Sequence, residues 1–69
     1  MAKKMNDYDR GVIVGIALAC SIAQSSHDCP VILGEVLGAT GLDRRKMKAA
    51  GVEDYDLKIL RPVFREIES

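Results

Sequence analysis

The residues best suited to covalent or metal chemistry lie close together in the sequence: Cys20, His27, Asp28 and Cys29. A catalytic thiol needs a positioned base and groups that stabilise an oxyanion, yet His27 is the only histidine of the chain. Zinc sites use C-x2-C or H-x3-H pairs, which the sequence lacks. Since Cys20 lies in an apolar run, it should behave as a small hydrophobic residue. We therefore predict a structural role for this group, with no catalytic site, no metal and no cofactor.

Two other patterns suggest ligand binding, and neither is specific. The stretch from Gly34 to Gly41 is rich in glycine, but it lacks the Lys-Ser/Thr ending of a phosphate-binding loop and follows no predicted strand. The carboxylates of Glu53, Asp54 and Asp56 could hold a cation, but the calcium-loop spacing with its closing Glu is missing. A capped helix start explains these three carboxylates better.

Two tyrosines lie in acidic surroundings, since each has an aspartate on both sides. Tyrosines of this kind are frequent hot spots of protein interfaces, and with their neighbouring carboxylates they would suit a basic partner protein. The alternative is that each ring packs against the core with its hydroxyl in water. The predicted partner-binding residues are Tyr8, Glu53, Asp54, Tyr55 and Asp56.

The segment 30–50 permits a second function, because two helices with a short turn resemble a DNA-binding helix-turn-helix. Its basic residues could contact phosphates or guanine edges. Against DNA binding, 10 Lys and Arg balance 10 Asp and Glu, and an acidic block follows the basic helix directly. A small transcriptional repressor is therefore the alternative function, and nucleic-acid binding is not the favoured one. Its DNA-contacting residues would be Arg44, Arg45, Lys46 and Lys48.

The elements that position these residues are predicted to be helices, the first starting at Asn6 or Asp7 with residues 1–5 frayed. Its run from Gly11 to Ala23 contains one polar side chain, Ser21, so a helix built from it needs cover nearly all round. The run is too short to span a bilayer, which takes about 20 apolar residues, so no membrane contact is expected. Residues 24–28 are predicted to form a loop.

Small residues recur along the first helix at i, i+4 spacing, which lets another helix approach closely. The alternatives are packing against the last helix of the same chain and a two-fold interface between two copies. The predicted dimer-interface residues are Gly11, Gly15, Ala19 and Ala23.

The remaining helices are short and bounded by recognisable signals. Pro30 suits the first position of the second helix, which should end within 38–41. A third helix, 44–50, should end at Gly51, and a fourth should start in the acidic block. Its apolar stripe is interrupted by Pro62, which either kinks or splits it.

The length of 69 residues allows one helical domain, 1–69, which would be only marginally stable without some additional constraint. Two cysteines and the lack of a secretory leader pattern favour a reduced, cytoplasmic protein, so association of two copies is the expected source of extra stability. We predict an all-α fold in which three to four short helices pack on a central apolar helix 1, as a homodimer.

The chain resembles the small early proteins of temperate phages that commandeer host machinery. The resemblance rests on the segments 7–11 (Asp-Tyr-Asp-Arg-Gly), 50–57 (Ala-Gly-Val-Glu-Asp-Tyr-Asp-Leu) and 60–64 (Leu-Arg-Pro-Val-Phe). In length and helical make-up the chain is most similar to the phage anti-quorum-sensing protein.

That resemblance implies a helical dimer in the host bacterial cytoplasm. It would bind a LuxR-type quorum-sensing activator and block its DNA binding, with the type IV pilus assembly ATPase as a possible second target. The resemblance assigns no functional residue. From the acidic block alone, we hypothesise that the tyrosine-bearing acidic patch covers a basic, DNA-contacting surface of the target.

Overall fold

The computed structural model describes residues 5–68, which form five α-helices and no β-strand. The all-helical prediction is confirmed. The predicted fraying at 1–4 lies outside the described residues, and Met5 precedes the first helix without regular structure. The helices are α1 Asp7–His27, α2 Pro30–Thr40, α3 Arg44–Ala50, α4 Asp54–Ile59 and α5 Arg61–Glu68.

Helix α1 is longer than the sequence predicts, because the expected loop at 24–28 is helical up to His27. Its start is capped as expected, since Asn6 Oδ1 accepts the Asp9 N–H at 2.8 Å. The helix ends at Asp28, whose N–H still bonds the Gln24 carbonyl and whose left-handed backbone (φ 46°) turns the chain out of the helix. Gln24 is buried, and its Nε2 donates to Asp28 Oδ1 at 2.8 Å. In this extra turn only Gln24 is buried, and its bonds to Asp28 hold the turn in a helix despite its polar composition.

The next helices begin and end where the sequence signals lie. Helix α2 starts at Pro30 and runs to Thr40, and Gly41 (φ 70°) ends it in the left-handed conformation. Asp43 caps α3 by accepting the Lys46 N–H at 2.8 Å, and Gly51 (φ 95°) closes it. Both glycine C-caps satisfy helix carbonyls that would otherwise lack a partner.

Pro62 splits the last helical segment instead of kinking it. Helix α4 ends at Ile59 and α5 starts at Arg61, which places Pro62 in the first turn of α5. A proline is tolerated there because the N–H groups of a first turn have no partner within the helix. Residues 5–68 therefore form five helices, namely α1 and four shorter ones, which is the number expected if Pro62 splits the last helix.

The packing divides the helices into two groups. Helix α2 packs mainly on α5, whereas α1 packs mainly on α3 and α4. Gly34 permits the close approach of α2 to α5, because a Cβ at this position would lie 3.3 Å from the Cβ of Glu66. The two groups share one hydrophobic core, which consists of Ala17, Cys20, Leu33, Leu37, Leu42, Met47, Val52, Leu57, Leu60, Val63 and Phe64.

Within the described residues only one face of α1 is covered, so the cover nearly all round that its apolar sequence calls for is not supplied by α2 to α5. Its buried residues lie on the side of α3 and α4, while Leu18 and Ile22 are 50% and 58% exposed. Helices of 7 and 6 residues are too short to enclose one of 21 residues. Within residues 5–68, no helix combines the length and hydrophobicity that a membrane span requires.

Substitution of two glycines tests whether a left-handed glycine is what ends helix α3. We expect Gly51→Ala to lower the free energy of unfolding by about 1–2 kcal/mol, because a Cβ is strained at positive φ. Gly38→Ala is the matched control, since Gly38 lies inside α2 with open space around it. It should raise stability by about 0.4–1 kcal/mol through the lower entropy of the unfolded chain. Urea denaturation followed by circular dichroism measures both; equal effects of the two variants would contradict the assigned cap.

Candidate binding surfaces

The cysteine and histidine group predicted to be structural is dispersed between core and surface. Cys20 is buried in the core, Cys29 is half-buried and His27 is exposed. Burial raises the pKa of the Cys20 thiol, and the nearby Cys29 raises it further. A raised pKa disfavours the reactive thiolate. Among residues 5–68, no three His, Cys, Asp or Glu side chains converge as metal ligands would.

The acidic block at the start of α4 does not form one free patch. Ser21 Oγ donates a hydrogen bond of 2.8 Å to Asp56 Oδ1, and Asp56 is half-buried. This bond joins α1 to α4. Asp54 is exposed and lines a cleft of mainly basic side chains, and Glu53 and Tyr55 are exposed outside that cleft.

The two tyrosines of the predicted partner surface lie far apart. Tyr8 is 79% exposed near the start of α1, beside a cleft that also contains Val12 and Lys46. Tyr55 is 70% exposed and lines a shallow groove with Leu18 and residues further along α1. Since a helix rises 1.5 Å per residue, Tyr8 lies roughly 15–20 Å along α1 from Leu18 and Ile22, which line the groove at Tyr55. The structure therefore does not bring the predicted tyrosines together.

Five basic side chains from three helices line one cleft, of about 510 Å³, which we call the basic cleft. The spacing of four residues places two of them on one face of α3 and two on one face of α5. Leu57 and Phe64 provide apolar lining, and Asp54 and Glu68 are its acidic members. The cationic residues are Arg44, Lys48, Lys58, Arg61 and Arg65.

The four basic residues predicted as DNA contacts are divided by this geometry. Arg44 and Lys48 line the basic cleft. Lys46 Nζ donates instead to the Gly41 carbonyl at 2.8 Å, next to the end of α2. Arg45 is exposed and does not line the basic cleft. Helix α3 therefore contributes two of the four residues to the basic cleft, although all four are exposed.

Sequence reasoning missed three members of the basic cleft, namely Lys58, Arg61 and Arg65. We interpreted their segment by its apolar stripe and by Pro62, and the zero net charge of the chain hid the local excess of cations. The available signal was the i, i+4 spacing of Arg61 and Arg65, which repeats that of the basic pair on α3.

A second surface is apolar and lies on the uncovered face of α1. We call it the α1 stripe, and it includes three of the four predicted dimer-interface residues. The fourth, Ala23, is half-buried and packs against the core. Apolar residues exposed in such a row often mark an interaction site. The members of the α1 stripe are Gly11, Val14, Gly15, Leu18, Ala19 and Ile22.

Comparison with protein-family models, curated proteins and solved structures gave no match to this chain.

The hydrogen bond between Ser21 of α1 and Asp56 of α4 should contribute to the free energy of unfolding. We expect Ser21→Ala to lower the free energy of unfolding by about 1–3 kcal/mol, because a carboxylate loses its hydrogen-bond donor in a half-buried position. Ser25→Ala on the exposed side of α1 is the control and should change stability little. Chemical denaturation at pH 7 measures both, and an unchanged Ser21→Ala variant would show that the bond does not contribute.

The two cysteines should differ in reactivity. Cys29 is partly accessible and should react first with a thiol reagent, whereas Cys20 should react only on unfolding, because burial both shields it and raises its pKa. Reaction with Ellman's reagent, with and without urea, measures the two phases. The Cys29→Ser variant should lose the fast phase; a fast phase that persists would contradict the burial of Cys20.

Proposed function

We propose that this chain is a non-catalytic inhibitor that binds another protein, as a homodimer, and that the basic cleft receives an acidic segment of the target. The observation that supports this proposal is the convergence of five cations from α3, α4 and α5 around two apolar side chains. Like charges placed close together repel, and an anionic partner relieves that repulsion.

The lining of the basic cleft determines the chemistry of its partner. Leu57 and Phe64 belong to the core and are only 4% and 5% exposed, so the accessible lining consists mainly of charged side chains. Arginines form bidentate pairs with carboxylates, which an acidic peptide segment supplies. Asp54 and Glu68 interrupt the cationic surface, so separate carboxylates of a protein suit it better than a continuous row of phosphates.

The shape of the region also argues against a helix-turn-helix. A recognition helix protrudes into the major groove, whereas Arg44 and Lys48 of α3 line a concave surface. Lys46 bonds a backbone carbonyl of its own chain. DNA binding by a small repressor nevertheless stays the alternative function, because the basic cleft would also attract phosphate groups.

The resemblance to the phage anti-quorum-sensing protein provides the first targets to test. These are a LuxR-type activator, whose DNA binding the chain would block, and the type IV pilus assembly ATPase. In the acidic block, Glu53, Asp54 and Tyr55 are exposed, whereas Asp56 bonds Ser21 and Asp54 also lines the basic cleft. Our proposal is contact through an acidic segment of the target, and cover of a basic target surface by the acidic block stays a separate prediction.

A charge-reversal pair tests the basic cleft. Arg61→Glu with Arg65→Glu should weaken binding to a purified LuxR-type activator by about tenfold or more, because two cation–carboxylate contacts become repulsive. Arg45→Glu changes one exposed cation outside the basic cleft and should bind within about threefold of the unmodified chain. Isothermal titration calorimetry gives affinity and stoichiometry, a gel shift of promoter DNA reports inhibition, and circular dichroism checks folding.

Two outcomes would contradict the proposal. Equal loss of binding in the cleft variant and in Arg45→Glu would show that the basic cleft is not the binding site. Failure to bind either the activator or the ATPase, together with DNA binding that weakens steeply with salt and is lost in Arg44→Ala with Arg45→Ala, would favour the repressor.

A further inference from the structure

The α1 stripe has the pattern of a helix that pairs with a second helix. Gly11, Gly15, Leu18 and Ile22 follow one another at alternating spacings of four and three residues, which is the spacing of a coiled-coil seam. Every exposed residue of α1 between Gly11 and Ser26 is uncharged. A partner for this face therefore needs an apolar, uncharged surface of similar length.

We propose that the α1 stripes of two copies of this chain pair in antiparallel orientation, about a two-fold axis that crosses α1 between Ile16 and Ala17. This inference specifies the interface of the homodimer in the proposed function. It does not depend on which target the basic cleft binds.

The order of large and small residues along the α1 stripe supports the antiparallel orientation. Residues at equal distances from the axis face each other across a two-fold interface. Ile22 then lies opposite Gly11 of the other copy, Leu18 opposite Gly15, and Val14 opposite Ala19. Every pair joins one large and one small side chain, so the two helix axes can stay evenly spaced along the contact.

A parallel pairing in register would lack this complementarity. It would place Gly11 and Gly15 opposite their own copies, which leaves a gap, and Leu18 and Ile22 opposite theirs, which pushes the axes apart. The first half of the contact would be underpacked and the second half overpacked, and both defects are costly.

The space that the partner needs is open on the described chain. A Cβ added at Gly11 or at Gly15 would meet no atom within 4 Å. Further along the α1 stripe, Leu18 and Ile22 expose half or more of their side chains. Together with Tyr55 and Ile59 of α4 they line a shallow groove. Each copy thus presents an open half and a protruding half, which is what a self-complementary interface requires.

The area of this face predicts a weak dimer. A helix of 21 residues is about 30 Å long and 10 Å wide, so a face-to-face contact covers about 300 Å² on each copy before the groove at Tyr55 is added. Stable interfaces bury about 800 Å² on each partner, and transient ones bury less. The contact is therefore smaller than that of a stable dimer, and the dimer should dissociate on dilution.

Disulfide trapping distinguishes the two orientations. In a Cys20→Ala, Cys29→Ser background, we would mix a Gly11→Cys chain with a size-tagged Ile22→Cys chain and oxidise them. The antiparallel dimer predicts a mixed, cross-linked species, and neither chain should cross-link with itself. Two copies of position 22 would lie roughly 16 Å apart along the axis, beyond the limit of about 7 Å between Cα atoms. Self-linked Ile22→Cys would overturn the orientation.

Analytical ultracentrifugation tests the surface itself. The unmodified chain should be dimeric at high concentration, and Leu18→Glu should be monomeric. Ile32→Glu is the matched control, because Ile32 is 62% exposed but lies on α2. It should stay dimeric. A monomeric unmodified chain, or dimers in all three proteins, would overturn the inference. If a monomeric chain still bound its target through the basic cleft, the proposed inhibition would stand, but the homodimer in that proposal would not.

Discussion

The burial of a single face of α1 against α3 and α4 is the contact on which the rest of the structure depends. Ala17 and Cys20 belong to the core on this face, and the hydroxyl of Ser21 bonds Asp56 at the start of α4. Once α3 and α4 are held in this way, their basic residues and those of α5 converge. The opposite face of α1 stays open because the partner helices are so short. The basic cleft and the α1 stripe are both consequences of this arrangement.

Helix starts and ends could be predicted where one residue type determines the backbone. Pro30, Gly41 and Gly51 each mark a boundary through proline or glycine stereochemistry, and the structure has those boundaries. The end of α1 could not be predicted, because its last turn depends on the burial of Gln24 and on Asp28 in a left-handed conformation. The burial of Gln24 is a tertiary effect, and a left-handed conformation is uncommon for a residue other than glycine, so the local composition indicates neither. The choice between kink and split at Pro62 depends on packing in the same way.

The binding surfaces were harder to predict than the helices, because residues distant in sequence form them. Net charge is a sum over the whole chain, and a sum of zero is compatible with five cations in one cleft. The acidic block shows the same difficulty. The sequence predicts that Asp56 is available to a partner, whereas in the structure it accepts a hydrogen bond from Ser21. The small residues of α1 were correctly located on a helix, but only the structure shows that Gly11, Gly15 and Ala19 are exposed while Ala23 packs against the core.

Helix α2 packs on α5, although α3 and α4 lie between them in the sequence. Leu33 and Leu37 of α2 are buried, as are Val63 and Phe64 of α5, although the two helices are joined only through the intervening chain. If α5 detaches, α2 loses its main partner, and neither helix is long enough to persist alone in water. Backbone amides of α2 and α5 should therefore exchange with solvent deuterium as one cooperative unit, with similar opening free energies despite their separation in sequence.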